Sequence, residues 1–282
     1  MGYYGGTGAR HMKRLGPFKG IKQETPTDED KQLVQCAWKD GLEVDIPRDW
    51  LSGVYLAKLT AAPSGYESYA IFIVRDDRKA DFLFQCSDTT WQSYNRWPAW
   101  RSLYDWKENK WHTSVGADVS FDRPYSLFYN KLPAKLVPLT NGSGEFLLWE
   151  HPLCFWMEKE GYDVTYISNI DTHQNAKGLM RGKAFLSVGH DEYWSQEMFE
   201  NVSAARDAGV NILFLSGNSV SGKFFSGRAA AAKRTEFSGV IQRTAHIISA
   251  TTRNSWASLP TESAPRIGPA RRPTIGSSPA PP

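Results

Sequence analysis

No stretch of this chain approaches the roughly 18 consecutive apolar residues that a membrane-spanning helix requires, and no signal-peptide pattern opens it. No membrane partner is therefore expected. Cysteine is scarce: Cys36, Cys86 and Cys154 are odd in number and far apart. That spacing argues against a disulfide framework and against a CxxC zinc site, and makes the cytoplasm the expected compartment. Charge of one sign is lacking too. The 33 Lys and Arg against 30 Asp and Glu leave a formal net charge of +3, and the basic residues are scattered rather than striped. Nucleic acid is therefore not an expected partner. What remains is a globular composition, 41% hydrophobic and 22% charged, over 282 residues, enough for one large domain or one domain with appendages. The abundance is aromatic. The chain has eleven Trp, and Trp91, Trp97, Trp100, Trp106 and Trp111 crowd into one short stretch.

Along the chain, residues 1–35 are Gly-rich, then polar and charged, and read as a linker or remnant. Residues 36–65 alternate apolar and polar around Pro and Gly, as edge strands and turns do. They form an expected β-rich fragment, too small for its own core, that packs on the larger domain C-terminal to it. From Tyr69 the runs YAIFIVR and ADFLFQCSD are almost continuously apolar, the pattern of strands buried on both faces of a parallel sheet. A long aromatic loop is expected from Thr89 to about Tyr129. Residues 145–161 read as an amphipathic helix ending at Gly161. Strand DVTYIS, strand AFLSV, a Ser-capped helix over 195–208 and strand NILFLSGNS come next. This alternation predicts right-handed crossovers and an α/β fold with a doubly wound, mostly parallel sheet, occupying residues 66–240 as a truncated core. Residues 241–282 hold Pro, Ser, Arg and Ala without apolar period and are expected to be a disordered or non-native tail, as from a shifted reading frame.

Three strand ends collect polar residues: SDTTWQSYN at 87–95, GHDEYW at 189–194 and SGNS at 216–219. In a doubly wound sheet such loops share one crevice. Asp, Asn and Ser are also good turn and cap residues, which is the competing account. Within GHDEYW, His190 and Glu192 are two positions apart, so an extended turn sends both to one side and Asp191 to the other. Cys86 and His190 suggest a thiol amidase, but Cys86 lacks a Gly-x-Cys-x-Gly elbow and reads better as a core residue. No HExxH spacing accompanies His190, and His11, His112, His151, His173 and His246 sit in unrelated segments.

The motifs SDTTWQSYN, SFDRPY, SVGHDEYWS and LSGNS, in that order, with WLSGVYLAKL and YAIFIVR before them, resemble the catalytic core of the N,N-dimethylformamidase large (beta) subunit family. The resemblance covers about residues 38–237. It implies a class I glutamine-amidotransferase-like α/β fold without the nucleophilic cysteine. It also implies hydrolysis of a small N-substituted amide by a mononuclear ferric ion, Fe(III), held by two tyrosines and a glutamate. Carried over motif by motif, the metal ligands are Tyr94, Tyr125 and Glu192, and the catalytic residues beside them are His190 and Asn218. A small companion subunit and a homo-oligomer are implied as well.

Chemistry is consistent with that set. Phenolate and carboxylate oxygens are hard anionic ligands, and two of the first plus one of the second match the charge of Fe³⁺. A tyrosine hydroxyl with a reference pKa of about 10 must lose its proton to ligate, which a nearby cation promotes. Three protein ligands leave positions for water and substrate. His190 is then placed to move a proton and Asn218 to hold an oxyanion. A non-catalytic binding module using the Trp-rich stretch is the competing expectation from another class.

Overall fold

The computed structural model describes residues 8–20, 22–25, 27–30, 33–36, 44–62, 64–98, 100–107, 118–125, 142–228 and 246–250. A short antiparallel pair, β1 (Thr27–Asp28) with β2 (Leu33–Val34), precedes a longer hairpin of β3 (Gly53–Thr60) and β4 (Glu67–Val74). The YAIFIVR run thus belongs to an antiparallel hairpin, which corrects the expectation of a parallel strand. Its continuous apolar character has a local cause. Ile71 and Ile73 pack on the core, while on the outer side Trp50, Tyr55 and Phe72 stack on one another at centroid distances of 4.9 and 5.6 Å. Both phases of the strand are covered, one by the core and one by its own neighbours.

The chain then runs through β5 (Ala80–Cys86), α1 (Asp88–Tyr94), β6 (Asp118–Ser120), α2 (Phe146–Trp149), α3 (His151–Lys159), β7 (Val164–Ser168) and α4 (Asn169–Gln174). It continues through β8 (Gly182–His190), β9 (Tyr193–Trp194), α5 (Gln196–Asp207), β10 (Asn211–Gly217), β11 (Gly222–Arg228) and β12 (His246–Ala250). Strands β10, β8, β5 and β7 lie side by side in that order, all parallel. The molecule is therefore a mixed α/β fold with a four-stranded parallel sheet. β6, β12, β11 and β9 form a second small sheet. β12 lies inside the stretch expected to be a tail, and residues 251–282 fall outside the described residues.

Strand order fixes where a site belongs. From β5 the chain goes to a neighbour on one side, β7, and then crosses over to β8 on the other side. The carboxyl ends of β5 and β8 therefore diverge into connections running opposite ways, which opens a crevice at that point. Alternate residues of the strands serve two cores. Leu83, Ile167 and Phe185 pack with Met198, Val202 and Ala205 of α5. Phe84, Tyr166, Leu186 and Val188 pack with Phe146, Cys154 and Met157 of α2 and α3. Burial on both faces is why these strands lack a polar phase.

Local chemistry sets the ends of the helices. Ser195 caps α5 as its sequence predicts, its Oγ accepting the Met198 N–H at 3.1 Å. The helix expected over residues 145–161 is broken at Glu150 into α2 and α3, with Pro152 in the first turn of α3, where its missing N–H is tolerated. The start of the expected aromatic loop is α1. Six of its seven residues are buried, so it carries no apolar stripe by which a helix is recognised.

The two sheet edges differ. At β7, Ser52 Oγ accepts the Tyr166 N–H at 2.9 Å and Arg78 donates to the Val164 carbonyl at 2.8 Å, so side chains occupy the edge. β10 leaves Phe214 and Leu215 each 50% exposed. Among the described residues no helix is long and apolar enough to cross a membrane. Leu83, with no exposed surface, sits at the centre of the sheet, whereas Phe199 on α5 is 52% exposed. Leu83→Ala is expected to cost about 2–5 kcal/mol in urea unfolding, and Phe199→Ala to stay within about 0.5 kcal/mol. Equal losses at the two positions would contradict the burial described.

Candidate functional site

The penultimate residue of β8 is a glycine for a steric reason. Gly189 has φ +78°, and a Cβ there would lie 2.8 Å from Trp149 Cβ of α2. The chain can therefore turn beneath α2 only without a side chain. Asp191 comes two residues later, fully buried, and its carboxylate accepts from Gln85 Nε2 at 2.7 Å, Asn169 Nδ2 at 2.9 Å and Ser187 Oγ at 2.7 Å. Its N–H donates to Ser216 Oγ at 2.7 Å, and its carbonyl accepts the Val220 N–H at 3.1 Å. Burial pulls the Asp191 carboxyl above its usual range, opposed by these donors. Asp191 thus faces away from His190 and Glu192, as the alternation in the sequence predicts. From the other side, Thr90 Oγ1 in α1 accepts the N–H groups of Glu192 at 3.0 Å and Tyr193 at 3.2 Å.

With Asp191 anchored inward, its neighbours face the crevice. Glu192 Oε2 accepts the Tyr94 hydroxyl at 2.5 Å and lies 3.1 Å from His190 Nε2, while Oε1 accepts from Ser221 Oγ at 3.2 Å. The Tyr104 hydroxyl donates to the Tyr94 oxygen at 3.2 Å and shares a further hydrogen bond with the Tyr193 hydroxyl. His190 Nδ1 lies 3.3 Å from Glu145 Oε2, and its ring stands 5.1 Å from that of Tyr94. Asn218 Nδ2 comes within 3.4 Å of His190 Nε2. Asn218 and Val220 both have positive φ, +50° and +57°. For a β-branched residue such as Val220 that is a strained conformation. The Val220 N–H bond to Asp191 helps hold the turn that presents Asn218.

Electrostatics are set by this geometry. Burial opposes the charged form of His190, but hydrogen bonds and charge from Glu145 and Glu192 prevail and push its pKa up to about 9. Burial raises Glu145 to about 7, offset in part by His190. For Glu192 burial also raises the pKa, yet the hydrogen bonds from His190 and Tyr94 bring it below the ordinary value. The Tyr94 phenol is driven strongly upward by burial and by the adjacent Tyr104 and Glu192, so it is the donor in its bond to Glu192.

Of the five residues singled out from sequence, Tyr94, Glu192, His190 and Asn218 meet in one cluster. Tyr125 is placed edge-on against Trp91, with centroids 6.2 Å apart, and hydrogen-bonds the Gln92 side chain. Cys86 is fully buried in the second core, where burial and the neighbouring Glu150 push its thiol well up. A thiolate nucleophile has no support there. Sequence reading passes over Glu145, Tyr104 and Ser221. Tyr104 is hidden by the surrounding aromatics. Glu145 had one usable signal, its position directly after Gly142 and Gly144 and before an apolar run. Among the described residues no three His, Cys, Asp or Glu side chains group to hold a metal. The oxygens that do converge are phenolic and carboxylic, a donor set suited to a hard cation.

The family model described as N,N-dimethylformamidase beta subunit-like, C-terminal, matches residues 1–265. No curated protein matches the chain.

Removing the Asp191 carboxylate strands the Gln85, Asn169 and Ser187 donors in a dry interior, at about 1–3 kcal/mol for each group left unpaired. Asp191→Ala is accordingly expected to lower the denaturant midpoint far more than Ser221→Ala, whose partner bond is only part-buried. If Asp191→Ala unfolds at the parent's midpoint, the bracing role assigned to it is wrong.

Proposed function

The chain belongs to the N,N-dimethylformamidase beta subunit-like, C-terminal family, and on that footing we propose that it hydrolyses a small N-substituted amide, of the N,N-dimethylformamide kind, to an amine and a carboxylate. The observation that carries this reading is the Tyr94 hydroxyl 2.5 Å from Glu192 Oε2, with His190 Nε2 3.1 Å from the same oxygen, at the carboxyl ends of β5 and β8. The strand order is in keeping with a class I glutamine-amidotransferase-like fold, which the proposal adopts.

We further propose that Tyr94, Tyr125 and Glu192 hold a mononuclear ferric ion. Geometry supports the first and last. For Tyr125 the support is its FDRPY motif alone, since its contacts are with Trp91 and Gln92. When bound, such an ion supplies Lewis acidity toward the amide carbonyl and toward water. The rest falls to the chain's own side chains. His190, between two carboxylates, holds a proton at Nε2 that can pass to the nitrogen of the departing amine. Asn218 Nδ2, held beside the His190 ring by its strained turn, can donate to the oxygen that gains charge as the carbonyl becomes tetrahedral. Tyr94 and Glu192, nearly enclosed, lose little freedom when engaged.

The words beta subunit in the family description support a companion chain, and a homo-oligomer remains part of the proposal. Cys36, Cys86 and Cys154 are buried, and a cytoplasmic setting remains part of the proposal. A carbohydrate-type binding face is not favoured, because Trp91 at the start of the Trp-rich stretch is buried in the core.

Protein purified from iron-supplied cells is expected to contain iron and to show a visible tyrosinate-to-iron absorption that vanishes in Tyr94→Phe and in Tyr125→Phe. Asn218→Ala is expected to keep the iron and the colour while kcat on N,N-dimethylformamide falls roughly 10²–10³-fold. A colourless, zinc-containing and active protein would sink the ferric assignment, and unchanged kcat in Asn218→Ala would remove its role.

A further inference from the structure

Tyr104 lies outside the motifs that carry the family resemblance, yet the chain is built to deliver it to Tyr94. The turn over residues 102–105 is closed by the Ser102 N–H on the Asp105 carbonyl at 3.0 Å, and Ser102 Oγ accepts the Tyr104 N–H at the same distance. Two bonds tie this turn to α1 and the residues just after it. The Leu103 N–H donates to the Ser93 carbonyl at 2.9 Å, and Arg96 Nε donates to the buried Asp105 carboxylate at 2.8 Å. The Tyr104 ring is thereby set 4.8 Å from that of Tyr94, with its hydroxyl 3.2 Å from the Tyr94 oxygen. Tyr193 completes the row, its hydroxyl bonded to that of Tyr104. Thr89 and Thr90 of α1 hold the Tyr193 carbonyl and N–H at 2.7 and 3.2 Å. Gly222 of β11 passes so close to the Tyr193 ring that a Cβ there would lie 2.5 Å from it. All three tyrosines are buried.

We propose that Tyr104, backed by Tyr193, is a positioning residue for Tyr94: its hydroxyl donates to the Tyr94 oxygen, holds that oxygen at Glu192 and sets its strength as a ligand. This inference rests on the reading of Tyr94 and Glu192 as metal ligands. A phenol hydroxyl has one proton and two lone pairs, which fixes the direction of the row. Tyr94 gives its proton to Glu192 Oε2, so toward Tyr104 its oxygen accepts. Tyr104 has then committed its own proton, and its oxygen accepts from Tyr193. The row runs one way, from Tyr193 through Tyr104 and Tyr94 to Glu192. A cation held by Tyr94 needs one lone pair of that oxygen and leaves the other for the Tyr104 hydroxyl. A hydrogen bond to a ligand atom fixes its orientation and tempers its charge. In so enclosed a place that bond is stronger than it would be in water. Tyr104 acts through Tyr94, and Tyr193 acts through Tyr104.

The test reads the ligand itself rather than turnover. Tyr104→Phe removes the hydroxyl and keeps the ring. In the iron-loaded variant the visible tyrosinate-to-iron band is expected at longer wavelength than in the parent, because a phenolate relieved of a hydrogen bond gives up an electron more easily. Iron affinity, measured by competition with a chelator, should fall roughly 10–100-fold. A merely structural role would lower the melting temperature and leave the band where it is, and an unmoved band would overturn the proposal. Tyr193→Phe should shift the band the same way by less. Combined with Tyr104→Phe it should add nothing, since its effect passes through a hydroxyl already gone. A further shift in the double variant would overturn the serial order. In metal-free protein, through-space ¹H spectra should place the Tyr104 hydroxyl proton against the Tyr94 ring and the Tyr193 hydroxyl proton against the Tyr104 ring. The reverse pattern would overturn the assignment. Should the parent take up no iron, the reading of Tyr94 as a ligand fails by itself, and the hydroxyl spectra still decide whether Tyr104 positions it.

Discussion

The hydrogen bonds to the Asp191 carboxylate hold this architecture to its chemistry. Gln85 on β5, Asn169 at the start of α4 and Ser187 on β8 all donate to it, so one side chain ties together the ends of three adjacent strands. An acceptor-only group surrounded by donors is a satisfied buried charge, and satisfaction is what makes such a group tolerable in a sheet interior. Its orientation matters as much as its energy. Because Asp191 faces in, strand alternation directs His190 and Glu192 out to the crevice. The neighbouring turn that carries Asn218 is bound to the backbone of the same residue through Val220.

Around the crevice, acceptors outnumber cations. Glu145, Glu192 and Tyr94 gather about His190, with the Tyr104 hydroxyl bonded behind Tyr94, and the imidazole is drawn to its protonated form by the two carboxylates. Among the described residues, Glu145 Oε1 has no hydrogen-bond partner, which adds to this excess. A cluster rich in hard oxygens is a donor set suited to a hard cation. The arrangement is precise because its parts come from rigid elements. Tyr94 is on a buried helix, Glu192 on a turn bonded to that helix through Thr90, and Glu145 at the head of a pinned one.

Much of this is legible in the sequence alone. Runs of Val, Ile, Leu and Phe without a polar phase mark β5, β7 and β8, because strands covered on both faces need no polar side. Ser195 marks the start of α5 because its hydroxyl answers a free N–H. The i, i+2 spacing of His190 and Glu192 gives their common direction. The features that stay hidden have equally physical reasons. β4 is apolar in both phases like a parallel strand, but half its cover is the aromatic stack of its own hairpin, which no periodicity reveals. α1 is buried nearly all round and so shows no helical stripe. Glu145 and Tyr104 join the site through folding of distant segments, and neither carries a local spacing that announces it.

The same long-range assembly has a kinetic side. Gln85 and Asp191 are 106 residues apart in sequence, Tyr94 and Glu192 98, and the parallel pairing of β5 with β8 spans a comparable loop. Closing such loops must be completed before their contacts give anything back, so folding is expected to be slow for the chain's size. Until β8 docks, β5 has β7 on one side and an open row of backbone donors and acceptors on the other, a template for wrong partners. The chain therefore spends its riskiest interval just before the site comes into being. Conditions that lengthen the wait, such as high concentration on refolding, should be felt as lost soluble yield before they are felt as altered catalysis.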